Sequence, residues 1–181
     1  MSKKINKDEL YKRLDSINQW INNCDSKTSV MIGFIGVLVT IIFTNSEIIH
    51  YLVKILSNCF TKVIFSDILF FIFLLSFALM IIYGIALLLK VLIPTLKMKS
   101  NKHKSYLYFG SIAKYDSYVE YKNDLLCATE NDIIDDLLNQ IYQNSLIATN
   151  KYHNYTKGVK TFILGFVGFV ILYIIGLIIY L

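Results

Sequence analysis

The most closely spaced carboxylates in this chain are Asp132, Asp135 and Asp136, and two of them share a helix face at i, i+4. Such a pair could act as general acid and base if a nucleophile or a substrate pocket lay beside it. The chain contains no nucleophile elbow, phosphate loop or H-E-x-x-H motif. The acids also fall near a predicted helix start, where carboxylates stabilise the helix dipole. The sequence therefore predicts no catalytic residues and no enzymatic activity.

Cysteine and histidine side chains are too scattered to predict a metal site, a cofactor or a disulfide. No C-x-x-C motif and no Cys/His cluster occurs. The residues concerned are Cys24, Cys59, Cys127, His50, His103 and His153. We expect reduced thiols on the cytoplasmic side and solvated or interfacial imidazoles, with no metal and no cofactor.

Three apolar runs dominate the remaining sequence. Residues 68–89 and 162–181 contain no charged residue and no histidine, and each is about 20 residues long, the length that spans a ~30 Å hydrocarbon core as a helix. Residues 30–44 form a shorter run that reaches spanning length only with its polar flanks. The chain is 55% hydrophobic over 181 residues, with a mean hydropathy of +0.53. These features predict an all-α integral membrane protein with about three transmembrane helices.

The charge distribution predicts the orientation of these spans. The net charge is +5, which suits contact with anionic headgroups or an anionic ligand rather than with nucleic acid. Six Lys or Arg residues precede the first span, two lie between the first and second, and ten lie between the second and third or at their edges. By the positive-inside rule, the N-terminus and the long loop are cytoplasmic. We therefore predict residues 1–29 as a cytoplasmic amphipathic helix, 30–90 as two spans with an outer interfacial connection, 91–160 as a cytoplasmic helical cap, and 161–181 as the third span.

The polar segments also have helical periodicity. Residues 3–23 carry an apolar stripe at Leu10, Leu14, Ile17 and Ile21, which could lie on the inner leaflet or pack on the cap. Residues 46–66 could form an interfacial helix on the outer face or extend the first span. A basic run follows the second span at Lys97, Lys99, Lys102 and Lys104. It predicts a juxtamembrane anchor, with contact to a nucleotide phosphate as the sharper alternative.

Two helices are predicted in the cap. The first extends from Tyr106 to Leu126, and the second begins near Glu130 and continues through Lys157 into the third span. The apolar stripe of the second helix is Ile134, Leu138, Ile141, Ser145, Ala148 and Tyr152. Closely spaced glycines, Gly33 with Gly36 and Gly165 with Gly168, mark positions where membrane helices can approach each other.

Two sequence blocks resemble the signatures of the Pycsar effector transmembrane family (PycTM). The first precedes the first span and contains Asn18, Trp20, Ile21, Asn23, Cys24, Asp25, Ser26 and Lys27. The second contains Phe109-Gly110-Ser111-Ile112-Ala113, Asp136-Leu137, Gln140-Ile141-Tyr142, Ser145, Ile147-Ala148 and Lys151-Tyr152. Cys24 and Thr28 stand where the family usually has alanine, and both keep the small size. The two blocks occur in the right order around the right spans.

The resemblance implies a membrane effector of bacterial antiphage defence in the bacterial cell membrane. A partner cyclase would make a cyclic pyrimidine mononucleotide, and the effector, as a homo-oligomer, would then impair the membrane. The candidate functional residues are Asn23, Asp25, Lys27, Gly110, Asp136, Gln140, Ser145, Lys151 and Tyr152. Asp25 and Lys27 would stand at the cytoplasmic mouth of the first span, as a functional pair or as an ion pair that only sets helix depth.

The competing class is a small ungated channel or a structural or regulatory membrane subunit. A pore through one chain requires polar residues aligned along its spans, and these spans offer only Thr40, Ser76 and Tyr83. That scarcity argues against a monomeric pore and leaves oligomers and bilayer disruption open. The chain carries no recognisable cyclic-nucleotide cassette, and Arg13 is its only arginine.

Overall fold

The computed structural model describes residues 6–61, 65–94 and 105–180, with the side chains of residues 6–57, 66–94 and 105–179. Six helices occur in these ranges: α1 (Lys7–Thr44), α2 (Ser46–Thr61), α3 (Phe65–Leu92), α4 (Phe109–Ile112), α5 (Tyr118–Cys127) and α6 (Glu130–Tyr180). The described residues contain no strand, so the predicted all-α class is confirmed. The basic run at Lys97, Lys99, Lys102 and Lys104, together with His103, lies outside the described residues.

Three of the helices, α1, α3 and α6, are long and apolar enough to cross a membrane, as predicted. Their apolar side chains remain largely uncovered within the chain: Ile72 is 55% exposed, Ile82 is 63% exposed and Ile178 is 79% exposed. A soluble monomer rarely leaves such long apolar surfaces open, whereas lipid covers them at no cost. Because each helix bonds its own backbone groups internally, it can lie in hydrocarbon.

The chain divides into two compact units, and two of the three boundaries between them, after Cys24 in α1 and after Tyr152 in α6, fall inside helices. The cap unit joins the described residues up to Cys24 with those from Pro94 to Tyr152. The span unit joins Asp25–Ile93 with the described residues from His153 onward. The four segments predicted from the sequence (1–29, 30–90, 91–160 and 161–181) are defined by their position relative to a membrane. That division stays a prediction.

Close backbone contact between α3 and α6 holds the span unit together. A methyl group built on Gly84 would lie 2.7 Å from the Phe162 nitrogen, and one on Gly165 would lie 2.9 Å from the Ile81 nitrogen. The expectation that Gly165 and Gly168 allow close helix approach is confirmed. Gly33 and Gly36 have open space around them, so no helix among the described residues approaches closely at these two positions.

The connection between the first two spans is a helix of its own. Asn45 separates α2 from α1, and its side-chain oxygen accepts hydrogen bonds from the Glu47 and Ile48 N–H groups at 3.0 and 3.2 Å. This is an N-cap arrangement that starts a new helix. Within the span unit, Ile55 is only 1% exposed, and both its Cδ1 and its Cγ2 lie 3.1 Å from where a Gly176 methyl would be. Residues 46–61 are thus a separate helix packed on α6, and their interfacial position stays a prediction.

The predicted helix from Tyr106 to Leu126 is wrong, because turns divide it into α4 and α5. The Ser117 hydroxyl accepts a hydrogen bond from the Glu120 N–H at 3.2 Å, and the Glu120 carboxylate accepts one from the Asp116 N–H at 3.0 Å. This reciprocal pair resembles a capping box and stops a helix from passing through Ser117. The S-x-x-E pattern of residues 117–120 is present in the sequence, but the spacing of the apolar residues favoured one continuous helix.

The predicted start of α6 and its continuation through Lys157 are confirmed. Thr129 and Asp132 cap its first turn reciprocally, with the Asp132 carboxylate accepting from the Thr129 N–H at 2.8 Å. The predicted apolar stripe is partly wrong, because Leu138 is 39% exposed while Leu137, Asp136 and Gln140 are buried. Tertiary contacts of the polar residues, and not apolar periodicity alone, decide which face of α6 is covered.

Candidate functional site

A buried polar network in the cap unit is centred on Asp136 and Gln140, which lie one turn apart on α6. The Asp136 Oδ2 accepts hydrogen bonds from the Ser105 hydroxyl at 2.9 Å, the Tyr106 N–H at 2.8 Å and the Leu107 N–H at 3.1 Å. Gln140 Nε2 donates to the Ser105 Oγ at 3.0 Å. Three donors around one carboxylate oxygen compensate the burial of its charge. The network therefore holds residues 105–107 against α6.

Ser105 also organises the backbone that follows it. Its Oγ accepts from the Leu107 N–H at 3.2 Å and from the Tyr108 N–H at 2.9 Å, which folds residues 105–108 into a turn. Gly110 lies against this turn, because a methyl group at that position would be 2.6 Å from the Tyr108 ring. Gly110 thus lets the Tyr108 ring lie against the backbone of α4.

Tyrosine hydroxyls link α5 to the segment just before it and to the turn of residues 105–108. The Tyr115 hydroxyl donates to Asp124 at 2.6 Å, and the Tyr121 hydroxyl donates to the Tyr106 carbonyl at 3.2 Å. Burial, followed by this hydrogen bond, raises the pKa of the Tyr115 phenol. Burial also raises the pKa of Tyr106, and the carboxylate of Asp124 is the next contributor. Both phenols are therefore neutral at physiological pH, and the Tyr115 hydroxyl keeps the proton that it donates to Asp124.

The first turns of α1 pack against α6 within the cap unit. Lys7 forms an ion pair with Glu130 at 3.2 Å, and Asn144 Nδ2 donates to Asn18 Oδ1 at 2.8 Å. The Tyr152 hydroxyl donates to the Trp20 carbonyl at 3.3 Å, and their rings meet edge to face at 6.1 Å. Of the two predicted positions for the apolar stripe of residues 3–23, the structure supports packing on the cap. Leu10 of this stripe is buried, whereas the neighbouring Trp20 is 60% exposed.

The other sequence-predicted candidates do not join the Asp136 network. The Ser145 hydroxyl donates back to the Ile141 carbonyl at 2.7 Å, and Lys151 is buried near the end of the cap unit. Asn23 and Lys27 are exposed on α1, and Asp25 is half-buried. Because α1 is one continuous helix, residues two apart lie on different sides, which disfavours the ion pair expected between Asp25 and Lys27.

Sequence reasoning missed Ser105, Asn144 and Tyr108. Ser105 follows the basic run and lies 31 positions before Asp136. No local pattern signals a contact between residues so far apart. The one available signal is the residue type, because a serine shortly before a helix often accepts hydrogen bonds from the N–H groups two and three residues later and so forms a turn.

The contacts of this site position the backbone of residues 105–107 against α6. Within residues 6–61, 65–94 and 105–180, no group of three or more His, Cys, Asp or Glu side chains is placed to hold a metal ion. The Asp136 carboxylate is engaged as a hydrogen-bond acceptor.

Helices able to cross a membrane, combined with a polar helical cap unit, define a small integral membrane protein. The chain belongs to the Pycsar effector family: the family model described as Pycsar effector protein domain, PycTM, matches residues 9–179. A curated relative, the Pycsar effector protein GmPycTM of Gulbenkiania mobilis, is 28% identical over 179 residues, covering 92% of this chain and 90% of the relative. No solved structure matches the chain. The family resemblance is confirmed, and it identifies a membrane effector of antiphage defence.

Proposed function

We propose that this effector is activated by a cyclic pyrimidine mononucleotide from a partner cyclase and that the activated protein impairs the membrane. The observation that carries the proposal is family membership over residues 9–179. The cap residues give it a physical route. A ligand that binds one arrangement of the cap more tightly shifts the population toward that arrangement. Moving the population from 1:99 to 99:1 requires a difference of about 5.5 kcal/mol in binding free energy between the two states.

The α6 helix is the element that would transmit this change. It carries Asp136 and Gln140 near its start and apolar span residues toward its end, in 51 residues without a break. We propose that a rearrangement around Asp136, Gln140 and Gly110 tilts or rotates α6. Ser145, Lys151 and Tyr152 lie on α6 between these residues and the span. Asn23, Asp25 and Lys27 would act similarly on α1, which also belongs to both units.

The active form is proposed to be a homo-oligomer whose N-terminus and long loop lie in the cytoplasm. Two of the three polar residues on the spans already have contacts within the chain. The Thr40 hydroxyl donates to the Gly36 carbonyl at 2.9 Å, and the Tyr83 ring faces the Lys157 ammonium at 5.6 Å. A single chain therefore offers little for lining an aqueous path, and several chains or a disrupted bilayer are needed.

The test is dye leakage from liposomes that carry the purified full-length protein, with and without a panel of cyclic mononucleotides. We expect leakage with a cyclic pyrimidine mononucleotide and none with its linear 5′-monophosphate, which has the same base but a different phosphate. Equal leakage without nucleotide would replace the proposal with the ungated channel. No leakage with any nucleotide, from protein that inserts correctly, would favour the structural or regulatory subunit.

Transmission through α6 has its own test in cells. Three glycines inserted after the exposed Thr156 are compared with three alanines at the same point. The two insertions have the same length and impose the same rotation, but glycine costs about 1 kcal/mol more per helix position. With an active cyclase, the glycine variant should reach the membrane and depolarise cells more slowly than the alanine variant. Equal depolarisation would exclude transmission by a stiff helix.

A further inference from the structure

The cap unit exposes two apolar faces that nothing within the described chain covers. On α5, Tyr118 is 74% exposed, Val119 is 62% exposed and Leu126 is 72% exposed. On α6, Leu138 is 39% exposed, Tyr142 is 60% exposed and Leu146 is 50% exposed. Exposed apolar residues at helical spacing mark interaction surfaces when several stand together.

Lipid does not explain these faces. The acidic residues Asp116, Glu120 and Asp124 are interspersed with the residues of the α5 face in the sequence. The α6 face is separated in the sequence from the apolar span by Lys151, Lys157 and Lys160. Because lysines near the end of a span keep their charge at the membrane surface, residues before them along the chain belong to the aqueous side. A protein partner is therefore needed.

The two faces have opposite charge. Lys122 lies on α5 one turn after Tyr118 and one turn before Leu126, so it falls within the α5 face. Asp135 lies one turn before Leu138 on α6, on the same side as Tyr142. Both side chains are exposed, and neither forms an ion pair within the part of the chain that the structure describes.

The faces also match in length. From Tyr118 to Leu126, and from Leu138 to Leu146, the first and last residues of each apolar row are eight positions apart on the helix, which is about 12 Å. Copies of one membrane protein share a single orientation in the bilayer, so the two faces of neighbouring copies meet in a fixed sense. Two different, complementary faces on one molecule produce a head-to-tail contact, which closes into a ring when the rotation allows.

We propose that the α5 face of one copy (Tyr118, Val119, Lys122, Leu126) docks on the α6 face of the next copy (Asp135, Leu138, Tyr142, Leu146). Lys122 of one copy pairs with Asp135 of its neighbour, and the apolar rows bury each other. The contact is present in the membrane with or without nucleotide. The inference rests on the oligomer in the proposed function and names the surface that builds it.

Cysteine cross-linking in membranes tests the contact on the full-length protein. Exposed Cys127 adjoins the α5 face, so the background carries Cys127→Ser and Cys59→Ser, while Cys24 is buried. Copies with Val119→Cys bear one epitope tag, and copies with Leu138→Cys bear another. Co-expressed without a cyclase and oxidised with copper–phenanthroline, they should give a dimer that carries both tags. Either variant expressed alone should give none.

Charge reversal supplies the second arm. Lys122→Glu in the Val119→Cys copy should lower the cross-linked yield about fivefold, because an attractive contact becomes a repulsive one. Adding Asp135→Lys to the Leu138→Cys copy should restore the yield. Lys114→Glu is the matched control, since Lys114 is exposed but lies outside α5, and it should change nothing.

Three results would overturn the proposal. A dimer from Leu138→Cys copies alone, at the yield of the mixture, would mean a symmetric α6–α6 contact. No dimer from the mixture would mean that another partner or a lipid surface covers the faces. A lack of rescue by the paired charge reversal would remove the Lys122–Asp135 contact. None of these readouts involves nucleotide or leakage, so failure here is distinct from failure of the proposed function.

Discussion

Substitution of Asp136 is the sharpest test of the cap network, because one oxygen of this residue accepts three hydrogen bonds. Asp136→Ala removes all three acceptor contacts and releases residues 105–108 from α6. A hydrogen bond to a charged group contributes about 1.5–3 kcal/mol, but the freed donors regain bonds with water once the turn lifts. We therefore expect the free energy that closes this turn to fall by about 2–3 kcal/mol.

Hydrogen exchange measures this loss directly. The amides of Tyr106 and Leu107 donate to Asp136, so they exchange only when the turn opens. A loss of 2–3 kcal/mol corresponds to about 30- to 150-fold faster exchange of these amides. Asp136→Asn keeps the shape and one neutral acceptor, so its effect should be smaller. Asp135→Ala is the matched control, because Asp135 is the exposed neighbour on the same helix.

The result that would refute the reasoning is unchanged exchange at residues 106 and 107 in Asp136→Ala. The turn would then be held by Ser105 and Gln140 without the carboxylate. Equal acceleration in Asp135→Ala would instead indicate a general effect of charge on the start of α6. Slower leakage from Asp136→Ala protein, together with the faster exchange, would tie this turn to the proposed response.

Three further predictions concern the membrane. A reporter fused at residue 120 should behave as cytoplasmic and one at residue 58 as external, and the same side for both would exclude an odd number of spans. Asp25→Ala and Lys27→Ala should each abolish toxicity in cells with an active cyclase. The double variant should be no more active than either, because α1 places the two on different sides, and partial recovery in it would restore the idea of a pair. Gly84→Val should lower the free energy of unfolding of the detergent-solubilised protein by about 1–3 kcal/mol, as measured by thermal unfolding, because the valine Cβ would lie 2.7 Å from the Phe162 nitrogen. Gly33→Val, with open space around it among the described residues, should change stability little, and equal losses would mean that close α3–α6 contact does not decide stability.

The spans could be predicted from the sequence because their signal is local and strong. A run of about 20 apolar residues has few alternatives to a membrane helix, whatever the rest of the chain does. The start of α6 was also predictable, since acids collect in the first turn of a helix. The break between α4 and α5 was not recognised, because hydrogen bonds of Ser117 and Glu120 override an apolar spacing that suited one helix.

The three acids at the start of α6 explain why the site itself was harder to predict. Asp132 caps the helix through Thr129, three residues away, and such a contact can be read from the local sequence. Asp135 points to solvent, and Asp136 holds a turn that begins 31 residues earlier in the chain. Residue type and spacing are nearly the same for Asp135 and Asp136, so only the tertiary fold separates an exposed carboxylate from a buried one. The family signature contains Asp136 but not Ser105, and the contacts that hold Asp136 became visible only with Ser105 and Gln140 beside it.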